Sequence, residues 1–94
     1  MKNPDRKTVA SLEELPNIGP AIAADLKLTG VHNPQDLRGK DPYQLYDILC
    51  RKTSQKHDPC VIDVFLAVVD FMDGGKAVPW WHFTAVRKKH LARE

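Results

Sequence analysis

Only two cysteines occur among the 94 residues, Cys50 and Cys60, too few for a disulfide-stapled secreted scaffold. Aromatic residues are scarce at 7%, so the core must be built chiefly from aliphatic side chains. No apolar run approaches the ~18 residues needed to cross a bilayer. The opening Met1–Lys7 is charged and has no apolar stretch of the signal-peptide kind. These absences predict a cytoplasmic protein with reduced cysteines. Charge of one sign is also missing, since 14 basic and 12 acidic residues leave a net charge of +2. With 43% hydrophobic and 28% charged residues, the chain does not have the composition of a disordered one. No segment keeps a period of two in β-branched residues, which excludes a sheet. Neither a phosphate-binding loop nor a nucleophile paired with a base is visible, so the expectation is a protein that is not an enzyme. Its length predicts one domain, residues 1–94, with a small core and no deep cleft between domains.

What is there is a run of short helical signals punctuated by proline and glycine. Ser11-Leu12-Glu13-Glu14 is a capping box, and Pro16 limits the helix it opens. Asn17-Ile18-Gly19-Pro20 forms a turn, with Pro20 suited to the first position of a helix reaching about Leu28. Gly30 closes that helix in a left-handed conformation. Asn33-Pro34-Gln35-Asp36 opens another short helix, closed by Gly39, and Asp41-Pro42-Tyr43-Gln44 opens the next. Thr53 to Lys56 reads as a polar loop. Asp58-Pro59 caps the longest helix, Pro59 to about Met72, whose stripe Val61, Val64, Phe65, Val68 and Met72 makes it the central core helix. Asp63 and Asp70 interrupt it and read as a narrow solvated strip rather than a catalytic pair. Gly74-Gly75 ends it, and Pro79 to about Arg93 reads as one basic helix. The prediction is an all-α fold of five or six short helices packed on helix 59–72. Residues 9–52 form a tandem hairpin region, and residues 58–93 the core helix and a basic C-terminal helix.

Charge is concentrated at the ends. Residues 1–8 hold Lys2, Arg6 and Lys7 against Asp5, and residues 87–94 hold Arg87, Lys88, Lys89 and Arg93 against Glu94, leaving a net acidic body. Basic ends can bind polyanions or can simply be solvated. Cys50, His57 and Cys60 have the spacing C-x6-H-x2-C, with His32 the one candidate fourth ligand. A structural zinc site wants four ligands in tighter pairs, so no metal is expected and both cysteines are read as small buried hydrophobes. His57 and His90 are read as surface residues. In Trp80-Trp81-His82-Phe83, adjacent helical residues diverge by about 100°, so one tryptophan closes the core and the other lies beside Pro79. The alternative is that rings and the following Arg87-Lys88-Lys89 meet unpaired bases and phosphates.

The chemically informative stretch is Leu12 to Ala23. Its turn Leu15-Pro16-Asn17-Ile18-Gly19 resembles the Leu-Pro-Gly-Ile-Gly turn of the helix-hairpin-helix motif. Amides at a helix N-terminus point outward without partners, and the helix dipole adds positive potential there. Gly19 lets a phosphate approach the backbone, and Ile18 would pin the two helices together. Asn17 replaces the first turn glycine, and Asn is the residue that best tolerates positive φ after glycine. Pro20 removes one amide from the anion site, and such hairpins also serve purely as packing units. Thr29–Leu37 resembles the stretch linking tandem hairpins in DNA-repair and recombination proteins.

Residues 12–90 more widely resemble the small bacterial pathogenicity-locus, or mitomycin-resistance, proteins. The stretches that carry this are Leu15–Gly19, Asp41–Tyr46, Asp58–Phe65 and Pro79–Phe83. The resemblance implies a helix-hairpin-helix fold and a DNA-damage connection; no cofactor is expected, although the hairpin family often binds a monovalent cation through its turn carbonyls. The resulting expectation is a small non-catalytic module that contacts the DNA backbone without sequence specificity. Asn17, Ile18, Gly19, Ala21, Lys27, Arg87, Lys88 and Lys89 are its candidate contacts. The alternative is a protein-interaction adaptor that docks a larger DNA-processing protein through the hairpins or the Trp80-Trp81 patch.

Overall fold

A computed structural model describes residues 1–93. Among these residues there are four α-helices, three 3-10 turns and no strand. The 3-10 turn Leu12–Glu14 precedes α1 (Pro20–Leu28), and the turn Pro34–Leu37 precedes α2 (Pro42–Thr53). Then come α3 (Cys60–Met72), the turn Trp80–Phe83 and α4 (Thr84–Leu91). Glu94, which the sequence reading includes in the basic C-terminal segment and in the domain 1–94, lies outside the described residues. The all-helical class is as expected, but the count of five or six helices is not matched. Two of the short helices are single 3-10 turns, because too few residues separate each cap from the next breaker to close an α-helical turn.

The caps explain the boundaries. Asn33 accepts a hydrogen bond from the Asp36 amide at 3.2 Å, and Asp41 accepts from those of Tyr43 (2.9 Å) and Gln44 (3.4 Å). Gly30 and Gly74 adopt φ of +97° and +116° where α1 and α3 stop. α2 runs through Thr53, one residue into the expected loop, with Ser54 left-handed behind it. One order of features occurs twice. Leu12, Leu15, positive-φ Asn17 and the helix-opening Pro20 are answered at a constant offset by Pro34, Leu37, positive-φ Gly39 and Pro42. All four of the residues at 12, 15, 34 and 37 are buried.

α3 is the central element. Ile62, Phe65, Val68, Val69, Phe71 and Met72 are buried, and Leu15, Ile18, Leu26, Leu37 and Leu49 close around them. The N-terminal segment belongs to this body. Val9 is buried in the core, Arg6 donates to the carbonyls of Phe71 (2.9 Å) and Gly75 (2.6 Å), and Gln35 donates to the Arg6 carbonyl.

Two expectations are overturned here. Asp70 is exposed, but Asp63 has no exposed surface, so the two do not form a solvated strip. Asp63 faces α4, where Thr84 Oγ1 donates to it at 2.7 Å and Arg87 Nε at 2.9 Å. The Pro79–Arg93 helix is also broken. Pro79 is extended, residues 80–83 form a 3-10 turn, and α4 begins only at Thr84. The break falls at Phe83, with φ −100° and ψ 1°, and the Trp80 amide at the entry to the turn donates to Asn17 Oδ1 at 3.2 Å.

Candidate nucleic-acid interface

The turn that joins Leu12–Glu14 to α1 is held from within. Leu15 and Ile18 are buried, and the Ile18 amide donates to the Leu15 carbonyl at 3.3 Å. Ile18 therefore pins the turn with its side chain and offers no free amide. The positive φ falls on Asn17, at +69°. The Asn17 side chain turns away from the helix N-terminus: Nδ2 donates to the Val78 carbonyl at 2.8 Å, and Oδ1 accepts from Trp80. As a candidate contact, Asn17 is thus committed to residues 78–80.

Gly19 is the N-cap of α1 and is extended, with φ −105° and ψ −174°. A Cβ placed there would meet nothing within 4 Å. No side chain caps α1, and Pro20 has no amide to offer. Among the described residues no backbone carbonyl accepts from Gly19, Ala21 or Ile22. The equivalent end of α2 differs in one respect. Its cap is Asp41, whose carboxylate takes the Tyr43 and Gln44 amides. The repeated unit therefore shows its own anion at one helix N-terminus and leaves the other open.

A cation stands beside the open end. Lys2 Nζ donates to the Glu13 carbonyl at 2.5 Å and to the Ile18 carbonyl at 2.6 Å. Nothing in the spacing of the sequence signals this contact. Lys27 is exposed and lines a groove of about 340 Å³ with Ser11, Glu13, Ala23 and His32. Lys88 and Lys89 are exposed on α4, and Lys89 borders a different groove with Tyr43, Leu66 and His90.

Arg87 does not join these lysines. Its side chain is only 11% exposed and pairs with Asp63. Hydrogen bonding to that carboxylate raises the guanidinium above its ordinary range. The signal that could have found the pair was a lone acid inside an apolar helical stripe.

Cys50 and His57 share a neighbour in Thr53, whose Oγ1 is 3.4 Å from the Cys50 carbonyl, while the side chain of Cys60 is engaged by Asp58. Cys50 lies on α2, and His57 Nε2 is 2.8 Å from Thr53 Oγ1. The Cys60 thiol is pushed up by its hydrogen bond to Asp58 and then by burial. Among the described residues no three such side chains form a group suited to a metal. Both cysteines are partly rather than fully buried, Cys50 packing against the core, which corrects their reading as buried hydrophobes. Trp80 packs against the core, while Trp81 is 63% exposed and meets Trp80 edge-on.

The architecture is that of a small all-helical domain with two related turn-and-helix units mounted on one apolar helix. The chain belongs to the pathogenicity locus family, Cdd1, whose model matches residues 5–89. It is also similar to the mitomycin resistance protein McrB of Streptomyces lavendulae. The two are 36% identical over 85 residues, which cover 90% of this chain and 81% of that protein. No solved structure matches the chain. The resemblance to this family expected from Leu15–Gly19, Asp41–Tyr46, Asp58–Phe65 and Pro79–Phe83 is thereby shown. Among the described residues no helix is long and apolar enough to cross a membrane.

Proposed function

We propose that this chain is a non-catalytic module that binds the DNA phosphate backbone without reading its sequence. The observation that carries this reading is the uncapped N-terminus of α1 at Gly19, matched by an equivalent helix end that Asp41 fills. Peptide amides, helix dipole and side-chain-free approach make such an end suited to a phosphate oxygen. Contacts of this kind position a protein on nucleic acid but carry no base information. The name of the Streptomyces relative, a mitomycin resistance protein, supports the connection to DNA damage that the family resemblance implies.

The test is fluorescence anisotropy on unrelated duplexes of equal length, across a salt series. Affinity should be modest, nearly equal between sequences, and steeply reduced by salt. Gly19→Val should remove most of it, because a branched side chain would stand where the phosphate approaches. The extended backbone of Gly19, preceding a proline, accepts valine without strain, so circular dichroism and melting should be unchanged. Undiminished DNA affinity in the folded variant would refute the turn as the binding site.

One observation favours the second reading, a protein-interaction adaptor. Trp81, Val86 and Leu91 are large apolar side chains left exposed in the C-terminal segment, where aromatic residues often anchor protein partners. On that reading duplex affinity is negligible at ~0.15 M salt, and Gly19 matters only through folding.

A further inference from the structure

We infer that Lys2 is the resident cation of the 12–20 turn, so that its ammonium does the work of the free monovalent ion implied by the hairpin resemblance. The oxygens that would hold such an ion belong to the turn backbone. Two of them, the Glu13 and Ile18 carbonyls, converge on Lys2 Nζ at 2.5 and 2.6 Å. They come from opposite sides of the turn, so one ammonium ties the 3-10 turn to the approach of α1. A free ion at the same oxygens would have to displace this side chain or sit against a like charge. The implied ion therefore does not fit beside Lys2.

The segment carrying Lys2 is delivered to the turn by its own anchors. The Thr8 and Val9 amides close on the Asp5 carbonyl, Val9 enters the core, and Arg6 is held by Phe71 and Gly75. Lysine is also chemically suited to the place. Its ammonium has three donors and no acceptor, so two can serve the carbonyls while one remains for an approaching anion. The Ile18 carbonyl that accepts from Lys2 shares its peptide group with the open Gly19 amide. Polarising that carbonyl strengthens the amide as a donor. This last step rests on the DNA-binding reading, whereas the occupancy of the carbonyls by Lys2 does not.

The experiment compares the full chain with Lys2→Met and, as a control, Lys7→Met, an exposed lysine of the same segment. Melting is followed at one ionic strength in chloride salts of potassium, sodium and tetramethylammonium, the last too bulky to enter the turn. The parent and Lys7→Met should melt alike in all three salts. Lys2→Met should melt several degrees lower in tetramethylammonium and regain most of the loss in potassium or sodium. A parent that already responds to the cation, or a Lys2→Met protein that ignores it, overturns the inference. DNA affinity is measured in the same salts. It should be cation-independent in the parent, and severalfold weaker for Lys2→Met in tetramethylammonium than in potassium. Absence of DNA binding in every sample would sink the function reading, while the melting result would still decide the role of Lys2.

Discussion

A carboxylate with no exposed surface must be paired, or it will not stay charged. Asp63 satisfies this with three donors from α4: Thr84 Oγ1, Arg87 Nε and, at 3.3 Å, Arg87 Nη2. It is the only ion pair among the described residues, and it is the electrostatic link between α3 and α4. Removing one partner of a buried pair leaves the other uncompensated, at a cost of about 3–5 kcal/mol. Arg87→Ala should therefore lower the stability measured by urea denaturation by about that amount, whereas Lys88→Ala and Lys89→Ala should stay within about 0.5 kcal/mol. Equal stability of all three variants would show that the pair contributes nothing. Asn17 illustrates the same economy. It supplies the positive φ that its turn demands and also spends both ends of its amide on residues 78–80. A glycine there would give the conformation without the link.

At the scale of elements, α3 and the Trp80–Phe83 turn share the most extensive packing in the molecule. The two tryptophans divide the labour as adjacent residues must. Trp80 packs on the core and Trp81 points outward. Removing residues 79–94 also strips Asp63 of its partners, so the truncated chain should melt far below the parent. Trp80→Ala should cost an appreciable part of the ~3–5 kcal/mol typical of a buried large aromatic, and Trp81→Ala less than about 0.5 kcal/mol. Unchanged melting after truncation would make the segment an appendage.

Much of this layout was legible in the chain. The start of α1 at Pro20, the caps Asn33 and Asp41 and the stops at Gly30 and Gly74 are local chemistry, and each stands where the residues placed it. The break before α4 was not legible, since no proline or glycine marks Phe83, and the bond that ties the entry of this segment to Asn17 joins residues 63 apart in sequence. The Lys2 contact was hidden for the same reason: a flexible side chain meets carbonyls that no residue identity marks. In the candidate site, Gly19 and Ala21 could be read from the turn pattern. That Asn17 and Arg87 are engaged within the fold was not legible, because composition does not show where a polar side chain already has a partner.

For the whole molecule, that point changes what its charge can do. The sequence has a net charge of +2 with cations gathered at both ends, yet Lys2 and Arg6 are held by carbonyls and Arg87 by Asp63. Exposed basic groups without such a carbonyl or carboxylate partner on these ends are then Lys7, Lys88, Lys89 and Arg93, while Lys27 is one of several exposed cations on the body, with Arg38, Lys40, Lys52, Lys56 and Lys76 among the others. The fold is small, with a radius of gyration of 12.4 Å and a longest extent of 36 Å, so a single duplex can meet the turn and only part of the remaining surface. A module touching about four phosphates should show a log–log salt slope of roughly −3.6, since each phosphate contributes about −0.9. Lys27→Ala, beside the turn, should reduce the slope by about 0.9, and the Lys88→Ala/Lys89→Ala pair by no more than about 1.8. Residual binding through the turn should survive both changes, because amide contacts are directional whereas lysine contacts are diffuse. Arg87 is best left intact in this series, since its loss would unsettle α4 and confuse a binding effect with a folding one. A slope unmoved by all three lysine changes would remove these three side chains from the interface.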